Sequence, residues 1–125
     1  MNVKEFITVD RLEAMLSAAT YGVDTFSIEI PEDSKQLADT IRKMQPDICR
    51  ETLWAEILVK GGKLTVIDNE EEKQYTIDRI KIASRYAMWI DTDPAGYSLF
   101  CDENEDATTG LNWLQILIFG EIIYG

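Results

Sequence analysis

The chain has 125 residues, nearly half of them apolar, and a formal charge of −11 with no histidine; this suits one cytoplasmic globular domain with a single core and not a disordered tail. Without imidazole, Ser-His-Asp and Cys-His nucleophilic sites, histidine metal centres and the commonest neutral-pH proton carrier are all excluded. The charge is uneven: residues 1–62 carry eleven acids against seven bases, residues 63–125 twelve against five, and no Lys or Arg follows Arg85.

A polar start, Met1-Asn2-Val3-Lys4-Glu5, does not fit an export signal. Thr8 to Tyr21 then places Leu12, Met15, Leu16 and Ala19 at helical spacing between a Thr8 or Asp10 cap and Gly22. Thr25 to Ile30 alternates, with Phe26, Ile28 and Ile30 on one side, and predicts a half-buried strand ended by Pro31. A second helix is expected from a Ser34 cap to Met44, with Leu37, Ala38, Ile41 and Met44 as its apolar stripe.

Gly61-Gly62 between two β-branched runs predicts a hairpin of strands 52–60 and 63–68, setting Val59 opposite Leu64 and Ile57 opposite Val66, with Leu53 and Ala55 on the same face. The alternative is a helix from Asp47 to Lys60 closed by Gly61. After the charged turn at Asn69 to Lys73, a short strand at Gln74 to Ile77 leads into a third helix reaching about Asp91. Its core stripe reads as Ile77, Ile80, Ala83, Ala87 and Ile90; Ile82, Tyr86 and Trp89 lie off that stripe, either in a broader buried face or, for Trp89, on a partner-binding surface.

Asp93-Pro94 starts a brief helical turn through Tyr97 and Phe100. A polar loop from Asp102 precedes a last helix from about Ala107 or Thr109 to Phe119, and Gly120 releases an apolar terminal strand, Glu121 to Gly125. The expected fold is α+β, a two-layer sandwich of a small antiparallel sheet on three to four helices. Cys49 and Cys101, fifty-two positions apart with no ligand-spaced neighbour, read as reduced core thiols.

Asp102-Glu103-Asn104-Glu105-Asp106 resembles the opening of an EF-hand calcium loop, but Ala107 stands where that loop needs glycine and Trp113 where it needs its bidentate glutamate. No phosphate-cradling loop or nucleophile elbow occurs, so no catalytic residue, metal ligand or cofactor is assigned. The expected activity is a non-enzymatic protein-interaction module. Asp91, Asp93, Asp102, Glu103, Glu105 and Asp106, with Trp89, would face a basic, nucleic-acid-handling protein, while the same charge opposes direct nucleic-acid binding.

Two other readings compete. One is a magnesium- or calcium-dependent enzyme built on Asp91, Asp93 and the Asp102 cluster. The other is a structural homodimer through Leu114, Leu117, Ile118, Ile122 and Tyr124. No apolar run approaches the ~20 residues of a membrane helix. The closing Phe119 to Gly125 resembles small accessory proteins of mobile genetic elements or phages, over seven residues that transfer no functional position.

Overall fold

A computed structural model describes residues 1–125. Its elements are α1 (Val3–Phe6), α2 (Val9–Thr20), β1 (Phe26–Glu29), α3 (Lys35–Met44), α4 (Arg50–Val59), β2 (Leu64–Asp68), β3 (Lys73–Ile77), α5 (Arg79–Thr92), α6 (Pro94–Cys101) and α7 (Ala107–Phe119). The strands form an antiparallel sheet in the order β1-β2-β3, with Phe26 opposite Asp68 and Leu64 opposite Ile77. The fold is a small α+β arrangement, as the residue pattern predicts, with no helix long and apolar enough to cross a membrane.

The expected 52–60/63–68 hairpin does not form. Residues 50–59 are α4, and Gly61-Gly62 end that helix where the hairpin reading makes them a two-residue turn. Gly61 takes φ +89° and its N–H donates to Leu58 O at 3.1 Å, while the Gly62 N–H reaches Ile57 O at 2.8 Å, the paired bonds of a Schellman stop. The residues of α4 hide their period because Leu53, Trp54, Ala55, Ile57 and Leu58 are all buried, so the polar face that would reveal a helix is nearly absent. The real hairpin joins β2 to β3 through residues 69–72, where Glu72 adopts a left-handed φ of 56°.

Alternation survives in β2, where Leu64, Val66 and Asp68 point inward and Thr65 and Ile67 are half-buried. Helices α2, α4 and α7 pack against this sheet, and α2 also packs on both other helices. The α2–α7 crossing is backbone on backbone. A Cβ added at Gly110 would fall 2.4 Å from Ala19 N and 2.6 Å from the Ala18 carbonyl carbon.

Beyond α7 lies an aromatic cluster around Phe6, whose ring centroid is 5.5 Å from Tyr86, 5.4 Å from Trp89, 5.3 Å from Phe100 and 5.9 Å from Trp113. Each such pair contributes about 0.5–1.5 kcal/mol beyond burial. The short α1 that delivers Phe6 is capped by Asn2, whose Oδ1 accepts from Glu5 N at 3.0 Å. The Met1 carbonyl accepts from the hydroxyls of Tyr86 at 3.2 Å and Tyr97 at 3.1 Å.

Several further expectations are corrected. Ile80, Ala83 and Ala87 face solvent, and α5 buries Ile82, Tyr86 and Trp89 instead, because the aromatic cluster takes the larger side chains. Cys49 is exposed at the start of α4 and Cys101 half-buried; both are free thiols, and neither belongs to the core. Met44 is exposed, since α3 buries only Ala38 and Ile41. Ser34 does not cap α3; its buried hydroxyl accepts from Lys63 N at 2.8 Å, tying the start of α3 to the segment after α4. Residues 121–125 form no strand.

Gly110→Ala is expected to lower stability by about 3 kcal/mol or more, because the methyl meets backbone that cannot swing aside. Urea unfolding checks this, and a change under about 0.5 kcal/mol, the range of an ordinary surface substitution, would contradict the contact.

Candidate interaction surface

The acidic residues singled out in the sequence gather at the two ends of α6. Asp91 is exposed in the last turn of α5, and half-buried Asp93 caps α6, its Oδ1 accepting from Gly96 N at 3.2 Å and its Oδ2 from Asn112 Nδ2 at 3.4 Å. A Cβ at Gly96 would sit 2.0 Å from Asp93 Oδ2, so a side chain there would displace the Asp93 carboxylate. At the far end, Asp102 and Glu103 are exposed, and Glu103 takes φ +59°. Its carboxylate lies 3.9 Å from Arg11. Arg11 itself donates to Phe100 O at 3.2 Å and stacks over the Phe100 ring, so its charge serves the C-terminal end of α6.

Glu105 is half-buried with one carboxylate oxygen shielded and unpartnered. Exposed Asp106 caps α7, accepting from Thr109 N at 2.9 Å and from the Thr109 hydroxyl at 3.0 Å; these bonds hold its pKa below the usual carboxylate value. The two acidic groups are therefore separated by the length of α6, about 12 Å for eight residues at 1.5 Å each. No three Asp, Glu or Cys side chains converge as a metal-ligand set. Between the acidic ends, α6 exposes Pro94, Ala95, Ser98 and Leu99, the last 40 % exposed, while Gly96 and Phe100 anchor its inner side.

Trp89 is not on this surface. It is 1 % exposed, stacked edge-on against Tyr97 and Phe100, with its indole N–H unpartnered. Of the residues read as a dimer interface, Leu114, Leu117 and Ile118 are buried within the one chain, leaving Ile122 and Tyr124 half-buried.

The apolar terminus is held by a residue that periodicity passes over. Gln115, 1 % exposed in the middle of α7, accepts from the N–H groups of Ile123 at 2.8 Å and Tyr124 at 2.7 Å and donates to Tyr124 O at 3.1 Å. The Tyr124 hydroxyl donates to Asp68 Oδ2 at 2.8 Å, and buried Asp68 also accepts from the Glu70 and Glu71 amides. A lone glutamine inside an otherwise apolar helix face is the signal that could have disclosed this clamp.

Gln115→Leu should release the tail and cost about 1–3 kcal/mol, the penalty of buried amide partners left unmade. The bond to Asp68 raises the Tyr124 pKa from 10.0 to about 12. Its stabilisation is thus complete below pH 10 and lost as pH rises through about 12. Comparing wild type with Tyr124→Phe isolates this bond from Tyr86 and Tyr97, whose pKa values burial also raises. The difference in unfolding midpoint should be constant up to pH 10 and vanish near pH 12; a difference that persists beyond that range would contradict the assignment.

No protein-family model, curated protein or solved structure matches the chain, so the surface is read from its own chemistry.

Proposed function

We propose that the chain is a non-enzymatic interaction module that docks the acid-bracketed outer face of α6 onto a basic protein, of the kind that handles nucleic acid. One observation supports this above others: carboxylates scattered over residues 91–106 fold to the two ends of a single exposed helix. Between them lies an apolar strip ending in Leu99.

Carboxylates steer encounter with a basic partner, and desolvation of the apolar strip supplies affinity at the centre. The charge stays uncompensated. Of the acids from Asp91 onward, only Glu103 lies within ion-pair reach of a base, and that base is already engaged with Phe100. Nucleic acid would compete for the same basic groove on the partner, because both ligands present closely spaced negative charge.

The test is capture of a basic partner on immobilised chain, comparing wild type with Asp102→Lys/Glu103→Lys and with Leu99→Asp. Wild type should retain a protein that DNA displaces and that elutes as salt shortens the screening length from about 10 Å at 0.1 M to roughly 3 Å at 1 M. Both variants should lose at least tenfold in affinity. Retention by the charge-reversed chain, or binding indifferent to salt, would overturn the proposal.

A further inference from the structure

A second surface, on α5, shares Asp91 with the first and has a different character. The helix turns Ile80, Ala83, Ser84, Ala87, Met88 and Asp91 to solvent, and Ile80 is 75 % exposed. With Val3, Lys4 and Ile7 of the α1 segment, Arg79, Ile80 and Ala83 line a surface depression of about 550 Å³. The cations around it are free of carboxylates. Lys4 and Arg79, which line it, make no ion pair, and neither do Lys81 and Arg85 further along α5 or Lys43 and Lys73 elsewhere; Arg79 donates to Val59 O at 3.0 Å.

The order of charge along α5 is the second observation. Arg79 and Lys81 occupy its first turn and Asp91 its last, with no acid in the first turn and no base in the last. A helix macrodipole favours the reverse, acids at the N-terminal end and bases at the C-terminal end. The Asp78 cap offsets part of this through its bond to Lys81 N at 2.8 Å, but nothing comparable serves the other end. The polarity of α5 is therefore offset within its own helix only in part, at the N-terminal end.

We infer that a second copy of the chain lays its α5 antiparallel across this face, about a two-fold axis near Ser84. Antiparallel pairing brings the cationic end of each helix over the Asp91 end of the other, which reverses the unfavourable dipole arrangement at both ends at once. Seven residues separate Ser84 from Asp91, about 10 Å along the axis, which places Asp91 of one copy within a turn of the partner's Arg79 and Lys4. Ile80 of each copy then meets Ala87 and Met88 of the other, and the small side chains of Ala83, Ser84 and Ala87 permit helix axes about 8 Å apart at the crossing.

Any outside partner would have to match this order of charges independently, whereas a second copy matches it by symmetry. The interface is separate from the Leu114 to Tyr124 segment. A single helix pair buries less than the roughly 1,200 Å² of a standard stable complex, so the dimer should be micromolar and salt-sensitive.

The test is sedimentation velocity of the full chain across dilution at low salt, with two charge variants, Lys4→Glu/Arg79→Glu and Asp91→Lys. Wild type should pass from monomer to dimer in the micromolar range. Each variant alone should remain monomeric, since its reversed charges meet like charges across the axis. Mixed in equal amounts, the two should form a heterodimer at wild-type affinity, because every contact is again between opposite signs. Circular dichroism establishes that both variants are folded, and Ile80→Asp should abolish association of the wild type and of the mixed pair. Wild type that stays monomeric into the high micromolar range overturns the inference and leaves the face to another partner. So does failure of the mixed variants to associate.

Discussion

The α2–α7 crossing at Gly110 is the contact on which the remaining structure depends. Because α7 lies directly on the backbone of Ala18 and Ala19, α2 is held between α7 on one side and α4 on the other. From that fixed position α7 sends Trp113 into the aromatic cluster and Gln115 to the C-terminal tail. The cluster in turn seats α5 and α6 through Trp89 and Phe100. A side chain larger than hydrogen at position 110 would shift all of these together, because interiors packed at crystal-like density transmit displacement and do not absorb it.

Position decides where the chain presents its acidity. A net charge of −11 maintains solubility wherever its carboxylates fall. Here Asp93 and Asp106 also cap helices, so two acids that shape the face are fixed by the backbone they satisfy. Phe100 and Gly96 lock the inner side of α6 into the core, which turns Leu99 and Ser98 outward. Lys4, Arg79 and Lys81 lie in α1 and the first turn of α5, together with Glu5 and Asp78.

Where one physical signal dominated, the residues disclosed their structure. The α2 stripe, the alternation around Phe26, the Asp93-Pro94 start of α6 and the Gly120 stop of α7 all follow local rules, and Gly120 adopts φ +76° as such a stop requires. Two signals misled because they have two meanings. Gly61-Gly62 serves a hairpin or a helix stop equally well, and α4 is buried too widely to show its period. On α5 the longest apolar repeat, Ile80 to Ala87, faces solvent because the cluster around Phe6 draws Tyr86 and Trp89 inward, and that cluster joins residues almost a hundred positions apart. The acids of the candidate surface were visible individually. Their gathering at the ends of α6 was not, since it depends on how α5, α6 and α7 pack.

Amide hydrogen exchange on the chain, free and bound to a captured basic protein at equal chain concentration, tests the central claim most directly. Exchange should slow across α6 and the loop at residues 102–106, with the sheet and α3 unchanged. Slowing centred on the 69–72 turn or on the Cys49 end of α4, with α6 unaffected, would contradict the account.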